Sequence, residues 1–147
     1  MLLNKEKKQN SYSPKATHEE VSDTEINKIL RTVPTEKAFY FYKEIGTPTK
    51  HFSASLPDFR DKLKIIEWSS LVFHLKRRDF ENWIREVIGD PELAKRISDF
   101  SPDTYNLRDK LYMAVDTRIR QLREPVQTAT SEQLLVKPNL SEIRSSE

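Results

Sequence analysis

Residues 69–98 read SSLVFHLKRRDFENWIREVIGDPELAKRIS, and this stretch decides the fold. Phe80, Trp83, Ile84, Val87 and Ile88 recur at three- and four-residue spacing, which places them on one face of a helix. Asp79 stands where an N-cap is expected and Gly89 where a helix stops at C′. Asp90 and Pro91 restart the chain as N-cap and N1 for a helix carrying Leu93, Ala94 and Ile97. Two helices therefore meet at a corner of about two residues. On the N-terminal side, Ser69 or Ser70 is read as the cap of a piece holding Leu71, Val72, Phe73 and Leu75 and ending at Lys76-Arg77-Arg78. That piece is read as helix, although a buried strand has the same apolar run.

Working outward, Ser55 and Asp58 form a capping-box variant with Pro57 in the first turn, and Leu56, Phe59, Leu63 and Ile66 continue the helical spacing. Before it, Ala38-Phe39-Tyr40-Phe41-Tyr42 favours a strand. The turn-rich Ile45-Gly46-Thr47-Pro48 and then His51-Phe52-Ser53-Ala54 complete a short β-hairpin. Residues 21–34 form an amphipathic helix with Ile26, Ile29, Leu30 and Val33, capped by Ser22 or Asp23 and ended by Pro34. On the C-terminal side, Ser101-Pro102-Asp103 breaks the chain, and Leu107, Leu111, Ala114, Val115, Ile119 and Leu122 mark a longer helix from Thr104 to about Arg123. Residues 1–20 and 125–147 are polar and Ser/Thr-rich, which reads as a flexible arm and a flexible tail, with Leu134-Leu135-Val136 a lone apolar cluster in the latter.

The expected architecture is thus a mainly α domain of about five short helices, residues 35–124, with a short hairpin near its N-terminal side, preceded by the helix 21–34 and flanked by two tails. The 147 residues are 36% hydrophobic and 33% charged, enough for one modest core. With 25 Lys+Arg against 23 Asp+Glu, the net charge of +2 does not supply the concentrated positive face that a nucleic-acid binder needs. There is no cysteine, which excludes disulfides and thiol chemistry and suits a cytoplasmic location. No stretch approaches the roughly 20 apolar residues of a membrane span, and the N-terminus lacks the pattern of a secretory signal.

Chemistry is sparse. Two glycines in total leave no room for a Gly-rich phosphate loop. His18, His51 and His74 are not spaced with a second ligand in the manner of a metal site, so neither metal nor cofactor is expected. His74, between Phe73 and Leu75, has Asp79 and Glu67 nearby in sequence, and a buried histidine bonded to a backbone group or carboxylate is favoured over a catalytic one. Lys76-Arg77-Arg78 is the single basic run of the structured part and a conceivable phosphate contact, but Arg77 or Arg78 pairing with Asp79 or Glu81 accounts for it. Four acid-first pairs, Asp58 with Lys62, Glu81 with Arg85, Glu92 with Arg96 and Asp116 with Arg120, describe solvated helix faces. Arg118, Arg120 and Arg123 complement the dipole of the last helix. Trp68 and Trp83 with Phe39, Phe41, Phe52, Phe59, Phe73 and Phe80 read as core, whereas Tyr40 and Tyr42 are candidates for exposed aromatics.

The block from Phe73 to Ala94 resembles a family of small archaeal and bacterial proteins catalogued as a domain of unknown function. Its pattern is an aromatic strand, a Ser-Leu-capped helix, F-H-x-x-R-x-D-F-x-x-W-I and a G-D-x-E-L-A corner. Ala38–Leu56 and Ser69–Ala94 match in order, and the likeness extends over about 90 residues, Thr35 to Glu124. Arg78 stands where many relatives carry glycine, which argues against a positive φ there. The resemblance implies an archaeal, cytoplasmic protein and carries no activity.

The functional expectation is a non-catalytic protein-interaction or regulatory module with a protein partner. Its candidate interaction site is His74, Lys76, Arg77, Arg78 and Asp79, with Tyr40 and Tyr42 as exposed aromatics. The alternative is an accessory protein on nucleic acid or a ribonucleoprotein, using Lys76, Arg77 and Arg78 together with Lys5, Lys7 and Lys8 of the arm. An enzyme centred on His74 and Asp79 ranks third.

Overall fold

The computed structural model describes residues 21–124, so the arm 1–20 and the tail 125–147 lie outside the described residues. Within them stand six α-helices and a two-stranded antiparallel sheet: α1 Asp23–Leu30, β1 Phe39–Glu44, β2 Thr47–Ser53, α2 Leu56–Ile65, α3 Trp68–Arg77, α4 Asp79–Trp83, α5 Pro91–Ser98 and α6 Leu107–Arg123. Six helices stand against about five expected, and the corner at Arg78 separates α3 from a short α4 where the sequence reading also ended one piece and began the next.

The hairpin turns at Ile45-Gly46, where Gly46 takes φ +81 in a space open enough that only backbone conformation requires glycine. Pairing runs from Phe39 opposite Ser53 to Glu44 opposite Thr47 with two irregularities, and α3 packs across β1. Phe39 and Phe41 point inward and meet Phe59, Phe80 and Trp83, a five-ring cluster that forms one end of the core. At the other end α2 and α5 lie against α6, whose Leu107, Leu111, Val115, Ile119 and Leu122 are buried. Helix α1 closes the bundle through Ile29, and Val33 just beyond it is buried as well.

Local signals act largely as their chemistry requires. The Ser55 side chain accepts from the Asp58 N–H at 3.3 Å and Asp90 accepts from the Leu93 N–H at 3.2 Å, each followed by proline in the first turn. Ser22 caps α1. All four acid-first pairs form, but Glu81 is buried at 8% exposure, so its pair with Arg85 does not mark a solvated face as expected.

Several expectations are corrected. Neither Ser69 nor Ser70 caps α3, which starts one residue before them with Glu67 at the N-cap. Ser70 lies inside the first turn, buried, with its hydroxyl unpartnered among the described residues. The helix after Asp79 does not run uniformly to Gly89: Ile84–Ile88 widens into a π-helical turn, closed by the Gly89 N–H donating to the Ile84 carbonyl at 2.8 Å. Arg31 from α1's end supplies the caps that this turn needs, donating to the Val87 and Ile88 carbonyls. The last helix begins at Leu107 rather than Thr104, because Ser101–Thr104 is tied into a turn by its own hydroxyls and Asn106 enters at φ +53.

Arg78 takes φ +66, against the expectation drawn from its side chain. The reason is local: α3 must end there and α4 begin at once, and a left-handed C-cap lets the Arg78 N–H close onto the Leu75 carbonyl at 3.0 Å. An L side chain in this region costs about 1–2 kcal/mol, while the buried Glu81 carboxylate that Arg78 contacts is shared with Arg85 at 3.6 Å and keeps that partner without it. Arg78→Gly is therefore expected to raise the unfolding free energy by about 0.5–1 kcal/mol in a urea titration, and a loss of stability would contradict the strain.

Candidate functional site

The densest part of the sequence pattern forms one hydrogen-bonded corner. His74 faces inward from α3, 4% exposed, ringed by Phe39, Phe41, Phe73 and Phe80. Its Nε2 accepts the backbone N–H of Tyr42 at 2.8 Å, so that nitrogen carries no proton. Nδ1 is then the protonated nitrogen and donates to Asp79 Oδ2 at 2.8 Å. Arg77 Nε donates to the same oxygen at 2.9 Å and lays its guanidinium over the Phe73 ring. The Asp79 carboxylate thus turns back toward α3, and it is not the N-cap of α4, which has no side-chain cap. Trp83 completes the arrangement by donating from Nε1 to the Lys37 carbonyl at 2.8 Å. Through these bonds α3 and α4 are fastened to the hairpin and to the turn before it.

Burial lowers the His74 pKa from its ordinary value, the Asp79 hydrogen bond and charge oppose that, and the nearby Arg77 adds to the lowering. Protonating Nε2 would also set two donors, the ring and the Tyr42 N–H, against each other. An unfolded histidine takes up its proton near pH 6.5 while the folded one resists, so this contribution to stability is complete above the unfolded pKa and shrinks as the pH falls toward the folded value. Urea midpoints are expected to fall between neutral and mildly acidic pH, and His74→Gln should flatten that slope.

The other predicted residues divide. Arg78 pairs with Glu81 at 3.0 Å, while Lys76 points into solvent with no ion-pair partner among the described residues. Lys76, Arg77 and Arg78 thus do not act as one bare positive patch. Tyr40 is exposed, as expected, and its hydroxyl donates to the Thr35 carbonyl at 2.8 Å. Tyr42 is only partly exposed, because its backbone is drawn toward α3 by His74. Phe52 and Trp68, read as core, are instead on the surface: Phe52 alternates outward on β2 and stacks on Tyr40, and Trp68 begins α3 on its outer side, 50% exposed.

Sequence reasoning missed a buried ion pair. Arg118 donates from Nε to Asp90 Oδ2 at 2.8 Å and from Nη2 to Oδ1 at 3.2 Å, with Asp90 wholly buried and Glu92 also within 3.1 Å of the guanidinium. Arg118 does more than complement the helix dipole: with Leu111, Val115 and Leu122 it falls on the apolar stripe of α6, and that placement is the signal in the sequence. Arg108, similarly, donates to the Leu63 and Ile66 carbonyls and caps the end of α2.

Two adjoining hollows flank the corner. One, of about 440 Å³, lies between the hairpin and α3–α4 and is lined by Tyr40, Tyr42, Ile45, Phe73, His74 and Asp79 among others. The second, of about 460 Å³, runs along the outer side of α3, and Phe73 and Arg77 stand between the two. No group of three or more metal-ligating side chains comes together among the described residues. No helix among them is long and apolar enough to cross a membrane.

What the fold and corner define is a small, mainly helical domain with one hairpin clamped onto it by a histidine–aspartate–arginine tie. The chain belongs to DUF5752, a family of unknown function, which matches residues 17–114. No curated protein and no solved structure matches it significantly.

Proposed function

We propose that the chain is a cytoplasmic, non-catalytic protein-interaction module that binds a partner protein at the hollow between the hairpin and α3–α4. The observation that carries this reading is the hollow beside the corner, framed by the exposed Tyr40 and by Ile45, which is 79% exposed at the hairpin tip. Exposed apolar surface around a concavity costs solubility and is the usual mark of a contact site. The corner supplies rigidity beneath it: with both ring nitrogens of His74 engaged and Asp79 holding two donors, these groups fix a surface rather than wait for a substrate. Rigid support lowers the ordering cost of association.

The test is cross-linking of the tagged full chain in its native cell, read by mass spectrometry. Proteins captured by the wild-type chain are expected to fall about tenfold or more with Tyr40→Ser and Ile45→Ser together. Met113→Ser, an exposed position on α6, should leave them unchanged. An identical profile from the hairpin variant would contradict the reading.

The nucleic-acid alternative has one observation in its favour, the gathering of Lys43, Lys76 and Arg77 beside the exposed Trp68. Its signature would be a salt-dependent shift of labelled RNA or DNA that vanishes when Lys76, Arg77 and Arg78 become Ser, and no shift at low salt would end it.

A further inference from the structure

We infer that the groove along the outer side of α3 takes an acidic peptide segment of a partner protein, anchored by an apolar side chain. The inference rests on the interaction reading and names a second contact and its chemistry. Trp68, Val72 and Lys76 follow one another at i, i+4 and i+8, and Ser69, Phe73 and Arg77 form the neighbouring row, so both rows line one face of α3 along the groove. Its floor is Trp68, Val72 and Phe73, and its rim is Lys43 from β1 with Lys76 and Arg77. No carboxylate lines it.

The charges select the occupant. Arg77 is held over Phe73 and spends its Nε on Asp79, while Lys43 has an exposed contact with Glu67 at 3.3 Å that a stronger acidic partner can displace. Lys76 has no such contact among the described residues. An acidic segment can satisfy Lys76 and Lys43 at the rim of the groove while its apolar side chain rests on Trp68 and Val72. A basic or neutral segment leaves the rim unmatched. A nucleic-acid strand fits less well, because its affinity grows with the number of phosphates neutralised and only one of the three cations lacks an acidic neighbour. Trp68 has the residue type that dominates binding energy when covered.

The experiment is selection of a phage-displayed random-peptide library on the immobilised full chain, with selected peptides then synthesised and their Kd measured by fluorescence anisotropy. Enriched sequences are expected to combine Asp or Glu with a large apolar residue, to bind about tenfold or more weakly to Trp68→Ser, and to weaken several-fold with Lys76→Glu and with Lys43→Glu. All three positions are solvent-facing, and circular dichroism with a thermal melt identifies any variant that fails to fold. The two lysine variants then carry the test if Trp68→Ser does not fold. Enrichment of neutral or basic sequences, no enrichment, or binding insensitive to the groove variants overturns the inference. Peptides lost instead with Tyr40→Ser and Ile45→Ser would overturn the groove and leave the hairpin reading standing. A labelled single-stranded DNA that binds the wild type, and loses that binding with Lys76→Glu, would overturn it in favour of nucleic acid.

Discussion

Arg118→Met is expected to lower the unfolding free energy by about 3–5 kcal/mol, because it leaves the wholly buried Asp90 charged and without its partner. The loss is large against a total of about 5–15 kcal/mol for a domain. Urea or thermal unfolding measures it directly. The second substitution Asp90→Asn, which keeps an acceptor for the Leu93 N–H, removes the orphaned charge and is expected to recover part of the loss. Strict additivity of the two would contradict the pair as the source of the effect.

Phe59→Ala is expected to cost a similar amount, about 3–5 kcal/mol. Phe59 is fully buried where α2 meets the hairpin, with Phe39, Phe41, Phe80 and Trp83 all within 6.0 Å of its ring centre. Removing it opens a cavity between α2, β1 and α4, whose walls are held apart by their own helices and cannot collapse far. Both the transfer and the cavity contributions therefore apply. A loss under about 1 kcal/mol in equilibrium unfolding would show that the cluster repacks.

Much of the fold was legible because it is written in local chemistry. Ser55 with Pro57, Asp90 with Pro91, and Gly89 each act within a few residues of themselves, and each ends or starts a helix where expected. What escaped was decided across the fold. Asp79 has two available roles, cap and tie, and His74 with Arg77 wins its carboxylate only because α3 ends in the left-handed turn at Arg78. Trp68 and Phe52 are apolar enough for a core, and only the packing of α3 across β1 and the outward alternation of β2 put them outside. Arg118 looked like a dipole partner from its position near the chain's last helical turns, whereas its stripe neighbours point it at Asp90 from a different element.

For the candidate site the division is sharper. A histidine bonded to a backbone group or carboxylate at His74 and an acidic partner for Arg77 were both expected, and the structure brings the two onto one oxygen of Asp79. The acceptor role of Nε2 toward the Tyr42 N–H could not be read, since it joins residues 32 positions apart through a strand with no periodic signal for it. That bond converts a polar corner into a clamp on the hairpin, and the proposed interaction face depends on it.

The clamp role of His74 ties the hairpin to the corner. It is tested most directly by long-range nitrogen NMR of the imidazole through a pH titration of the folded full chain. A proton fixed on Nδ1, an unprotonated Nε2, and titration below the ordinary histidine value are the predicted result. A ring that exchanges between tautomers, or that titrates at or above pH 6.5, would contradict it.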